Sequence, residues 1–272
     1  MRRRSWKIRV VFLLLLAGVI TVAYAAAQLV PMLAEDAKNR KNHAAYSELA
    51  AASLKTAAPN TEAHGGFLER PAAELPSASI APDEAPMISM MDFQAFLDIN
   101  PDCIGWLRIE DTVIDYPLVQ GKDNDMYLMT GFDGKPAAAG TLFLDVWGDR
   151  SFGGWNHPVY GHNMRDGSMF SVLGEFLKAD FAMAHREMAL LTPAGDWNLI
   201  PFAVYVAANA GDYHTQPVDE ADVLVRAKGW LEKSAVDFEI APVEGDRFLT
   251  LVTCNSNDEQ NRRVVLHTIL TR

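Results

Sequence analysis

Three side chains in this sequence have the types and placement for acyl-transfer chemistry: Cys254, His162 and Arg263. Cys254 ends a short run rich in β-formers, residues 248–253 (FLTLVT). Seven residues without an apolar side chain follow, 255–261, which marks an exposed loop. A second β-rich run, 263–270, begins with Arg263. A thiol where a strand meets a polar loop, facing an arginine, suits an activated nucleophile, because the thiolate is the reactive form and a nearby cation stabilises it. An isolated thiol with a pKa of about 8.5 is only a few per cent ionised at pH 7, so the cation matters.

His162 lies in 160–164 (YGHNM), just past a short apolar run and ahead of a Gly-containing loop and a helical pattern. A cysteine and a histidine are the minimal apparatus for acyl transfer: the thiolate attacks a carbonyl and the imidazole protonates the leaving amine. Arginine is a fixed cation able to donate to the oxyanion of a tetrahedral intermediate. Such a set needs no carboxylate, and Asp258 and Glu259 in the polar loop read as solvated residues rather than as partners that orient the imidazole. Arg262 and Arg263 alternate faces on a strand, so only one of them reaches a given cleft.

The elements that must hold these groups are short. Strands are expected at 104–109, 113–117, 141–145, 159–161, 187–192, 199–208, 248–253 and 263–270, with turns at 100–102, 121–124 and 133–136. Helices are expected at 92–97, capped by Asp92 or Ser89, at 168–177 and at 219–234. Many short strands with few inserted helices predict a mainly β fold, a small closed barrel, rather than a parallel α/β sheet. Cys103 reads as a small buried apolar residue and His267 as a barrel or rim residue.

The N-terminus has a different character. Residues 1–9 carry five positive charges, and 10–27 carry none. Extended to Val30, the apolar run reaches the roughly 20 residues that span a bilayer. It exceeds the ~7–15 residues of a signal-peptide core, although Ala25, Ala26 and Ala27 offer a cleavage site. The expectation is therefore a single-pass anchor over 1–30 with its N-terminus in the cytoplasm and the rest exported. Residues 32–57 are Ala-rich and read as a helix or pair of helices. Residues 58–86 contain five prolines and read as a linker, so 31–86 joins the anchor to a globular domain at 87–272. The net charge of −11 argues against a nucleic-acid footprint. Histidines are scattered and acidic runs lack ligand spacing, so neither a metal nor another cofactor is expected.

Residues 250–254 (TLVTC) followed by 263–265 (RVV) resemble the signature of sortases, the surface-protein transpeptidases of Gram-positive bacteria. Six further blocks resemble class B sortases in order: 100–107 (NPDCIGWL), 114–121 (IDYPLVQG), 123–128 (DNDMYL), 140–145 (GTLFLD), 160–164 and 166–170 (DGSMF). The resemblance covers most of 92–272. It implies an eight-stranded sortase-type barrel that cuts a sorting motif after its Thr, carries the acyl group on Cys254 and passes it to an amine of the cell wall. It makes His162 the general acid and base, selects Arg263 over Arg262 as oxyanion or substrate ligand, and places Asn124, Leu128, Tyr213 and Thr253 along the peptide groove. Val252 and Ser256 depart from the class B pattern. The implied partners are the sorting signal of a secreted surface protein and, as acceptor, a peptidoglycan precursor or a pilin amine. A hydrolase releasing the same thioester to water, a pilus-polymerising sortase and a non-catalytic surface domain are the alternatives.

Overall fold

The computed structural model describes residues 2–56, 89–208, 211–254 and 262–272, with Cys254 placed by its backbone. The linker expected at 58–86, Ser256, and Asp258 and Glu259 lie outside these residues.

The chain divides into two units, Met1–Asn42 and His43–Arg272. The first lies within helix α1, Arg2–Thr56, which continues through Pro31. Its stretch Phe12–Leu54 is long and apolar enough to cross a membrane, by length and composition. A helix or pair of helices was expected after residue 30, and a single helix continuous with the apolar run is found. The residues following Pro31 are strong helix formers, so the proline forfeits one backbone bond without ending the helix.

The second unit is a closed eight-stranded barrel, as expected. Its strands are β1 Cys103–Ile109, β2 Asp115–Val119, β3 Leu142–Leu144, β4 Asn156–His162, β5 Met188–Leu191, β6 Trp197–Ala208, β7 Arg247–Cys254 and β8 Arg262–Thr271. They pair around the barrel in the order β1-β2-β3-β4-β7-β8-β6-β5, and β5 returns to β1. The β2–β3 and β4–β7 pairs are parallel and the others antiparallel.

Alternate residues of β7 and β8 face opposite layers. Leu249, Leu251 and Leu266 join Leu107, Leu142 and Val159 in the barrel interior. Phe248, Val252, Val265 and Ile269 lie in a second cluster, with Val223, Ala227 and Trp230 of helix α4. Here α4 is the fourth α-helix, Glu220–Lys233, after α2 (Gln94–Ile99) and α3 (Ala179–Ala184). It starts where its acidic first turn predicts: the Asp219 carboxylate accepts from the Asp222 N–H at 2.8 Å. Burial on both faces explains why β7 and β8 read as apolar runs rather than alternating ones.

Several boundaries move for identifiable reasons. β2 begins two residues later than expected, because Val113 and Ile114 belong to a tight turn. There Asp111 has φ 57° and the Thr112 hydroxyl accepts from the Ile114 N–H. The helix expected at 168–177 is a 3-10 helix, Phe170–Leu177, and the separate α3 follows it. Its buried residues Phe170, Leu173 and Phe176 recur every third position, which is the period of a 3-10 helix. α2 starts at Gln94, two residues inside the expected cap, and the Asp92 carboxylate accepts from the Gln94 N–H at 2.9 Å. β4 is longer than the expected 159–161. Its first residues, Asn156 and His157, are polar yet fully buried, and each has a hydrogen-bond partner.

Candidate active site

The parallel register between β4 and β7 runs from Asn156 opposite Phe248 to His162 opposite Cys254. The last residues of the two strands are therefore neighbours in the ladder, on strands about 4.8 Å apart. On the other side of β7, the antiparallel register with β8 pairs Val252 with Val265. Continued by two residues, it sets Arg263 opposite position 254. There the Val264 N–H donates to the Thr253 hydroxyl at 2.9 Å. The Arg263 guanidinium reaches across to β7, its Nη1 donating to the Thr253 carbonyl at 3.1 Å. Residues 162, 254 and 263 are thus brought to one end of three adjacent strands. Arg262 is exposed and Arg263 half-buried.

His162 is half-buried and oriented by a backbone group. Its Nε2 lies 2.7 Å from the Leu128 carbonyl, which can only accept, so Nε2 carries the proton and Nδ1 is left for proton exchange. The residue before it must be glycine. A Cβ at 161 would come within 2.7 Å of the Phe170 ring and would also meet Leu142, and both are fully buried. Gly161→Ala is expected to cost about 1–3 kcal/mol through overpacking. A thermal melt of the variant checks this, with a loss of ~2–4 °C per kcal/mol.

The segment carrying Asn124 and Leu128 is fixed at two points, the end of β4 and the residues just after β3. Leu128, at the end of the 3-10 turn Met126–Leu128, holds His162 through its carbonyl. Asn124 donates to the Asp145 carboxylate at 3.0 Å and accepts from the Val146 N–H at 2.8 Å. Asp145 is buried, and it also accepts from the Tyr160 hydroxyl at 3.0 Å and the Trp147 N–H at 2.9 Å. Several donors offset the cost of burying that charge. Tyr160 precedes His162 by two and so shares its face of β4.

Tyr213 is buried in the 3-10 turn Asp212–His214, and its carbonyl accepts from the Asn156 side chain at 2.8 Å. Thr253 is buried too, with its hydroxyl on Val264 and its carbonyl on Arg263. His267 is sealed in the fold, stacked on Trp230 with ring centroids 4.0 Å apart. Cys103 is a free thiol, buried as expected, and burial pushes it up to about 12. Among the described residues, no three metal-ligating side chains gather to hold an ion.

Sequence reasoning missed Asp145, Tyr160, Asn156 and Thr250. Tyr160 carried a signal, its two-residue spacing from His162. The others form bonds between distant strands, which a linear sequence does not display.

No family model matches the chain. Sortase B of Listeria monocytogenes is 34% identical over 180 residues, which is 64% of this chain and 72% of that protein. The Staphylococcus aureus sortase B–substrate complex aligns with a TM-score of 0.63 at 27% identity, covering 66% of this chain and 84% of that one. A Bacillus anthracis protein similar to sortase B aligns with a TM-score of 0.68 at 28% identity, covering 86% and 96%.

Proposed function

The chain belongs to the sortase B family, and on that premise we propose that it is a membrane-anchored cysteine transpeptidase that attaches secreted proteins to the cell wall. Its substrate is a C-terminal sorting motif of the NPxTx type. The Cys254 thiolate attacks the carbonyl carbon of the motif's Thr. Arg263 donates to the oxyanion that forms. The C–N bond then breaks, the leaving amine takes a proton from His162, and a thioester remains on Cys254. An amine of the peptidoglycan precursor attacks the thioester, His162 accepts its proton, and the C–S bond breaks to restore the thiolate.

The observation that carries this reading is the register of His162 opposite Cys254, with Arg263 drawn onto the carbonyl of the residue before the cysteine. The peptide lies along β4, between the 124–128 segment and the turn that bears Tyr213. Asn124 acts by shaping that wall, because its amide is already engaged with Asp145 and Val146. Leu128 offers apolar contact, and Thr253 contributes the carbonyl that holds Arg263. The domain plan is an anchor over 1–30, a joining region over 31–86 and a catalytic domain over 87–272. The basic residues at 2–9 keep the N-terminus in the cytoplasm and the barrel outside the cell.

Mass spectrometry of the full chain in detergent, mixed with an NPxTx peptide, tests the reaction. The expected product without amine is an acyl adduct on Cys254. Adding triglycine is expected to chase that adduct into a new amide. A chain that forms only the free acid, whatever amine is added, is a hydrolase.

A further inference from the structure

Behind the row of catalytic positions, the same strands carry a row of buried polar groups. His267 of β8 pairs across the ladder with Thr250 of β7, and their side chains meet with Nδ1 and Oγ1 2.9 Å apart. The Thr250 hydroxyl lies 2.7 Å from Oδ1 of Asn156 on β4. Asn156 Nδ2 reaches the Tyr213 carbonyl. At the other end, the Tyr205 hydroxyl of β6 is 3.1 Å from His267 Nε2. Asn156, Thr250 and His267 are all fully buried.

One acceptor sets every proton in this chain. The Tyr213 carbonyl can only accept, so Asn156 presents its NH2 there and its oxygen to Thr250. Thr250 must then donate to Asn156, and it has no second proton for His267. His267 therefore carries its proton on Nδ1 and donates it to Thr250, while its bare Nε2 accepts from Tyr205. Burial lowers the His267 pKa well below its ordinary value, which agrees with a neutral ring. The Trp230 ring lies nearly parallel over it, at 6°.

We propose that Asn156 and Thr250 are positioning residues for peptide recognition: with His267 they hold the Tyr213 turn in place as one wall of the groove. This rests on the sortase reading above. The chain crosses β8, β7 and β4, the strands that carry Arg263, Cys254 and His162, and ends on a carbonyl of the connection between β6 and α4. Without the Thr250 hydroxyl the Asn156 amide is free to rotate, and the turn loses a buried hydrogen bond to β4.

The test uses the full chain in detergent and the isosteric change Thr250→Val, with Thr250→Ser as the rescuing variant. Expected for Thr250→Val is a rise of tenfold or more in KM for the NPxTx peptide, with kcat within about threefold of the parent. Amide hydrogen exchange over residues 211–216 should quicken by tenfold or more, and that of β7 should not change. The rate of Cys254 alkylation by iodoacetamide should also stay the same, and Thr250→Ser should restore KM. If Thr250→Val does not fold, Asn156→Leu removes the donor to Tyr213 directly and carries the same expectations. Unchanged exchange over 211–216 overturns the proposal, as does a loss in kcat and alkylation rate that matches the loss in KM. If the parent chain turns over no sorting peptide, the sortase reading fails instead, and the exchange measurement alone decides the tether.

Discussion

Cys254→Ala is expected to abolish turnover of an NPxTx peptide, lowering kcat/KM by more than about 10⁴-fold. The fold is expected to survive. The pairing of residue 254 with His162 is made by the backbone and does not require sulfur. The second cysteine offers no substitute. Cys103 lies in the core on β1, and its thiol, pushed up to about 12, is neutral at any working pH. A variant that melts like the parent, forms no acyl adduct and shows no turnover satisfies the expectation. Turnover within tenfold of the parent removes Cys254 from the mechanism.

His162→Ala is expected to lower kcat by about 10²–10⁴-fold, the usual contribution of a positioned proton donor. The carbonyl of Leu128 holds one ring nitrogen and leaves the other to serve both the departing amine and the attacking one. Both halves of the reaction should therefore slow. Added imidazole is expected to restore part of the rate by diffusing into the vacated space, which a purely structural loss would not allow. A kcat within tenfold of the parent, measured with saturating peptide, removes the imidazole from its assigned role.

The barrel was legible in the spacing of short apolar runs because its strands are buried on both faces or alternate between two clusters. α4 was legible because an acidic cap and an apolar stripe coincide at 219–234. Less visible were places where polar residues sit in a strand. Asn156 and His157 look like loop residues until their partners, the Tyr213 and Gly154 carbonyls, are known. The 3-10 helix at Phe170–Leu177 was mistaken for an α-helix because periods of 3 and 3.6 cannot be told apart over eight residues. At the site, residue types pointed to Cys254, His162 and Arg263. The anchoring of the imidazole by a carbonyl 34 residues upstream was beyond any sequence pattern. The role of Asp145 was equally hidden, since a buried carboxylate is recognised by its donors and not by its neighbours in the chain.

The strand order has a consequence for how the enzyme comes to life. β7 and β8, which follow the other described strands in the chain, do not lie at an edge. They insert between β4 and β6, both made earlier. A nascent chain that ends before β7 therefore has β3 on one side of β4 and no strand on the other. Pairings of such long sequence separation are among the slowest to form. Residue 254 comes opposite His162 only when β7 and β8 enter the gap between β4 and β6, so under the proposed mechanism a copy lacking them is expected to be inert.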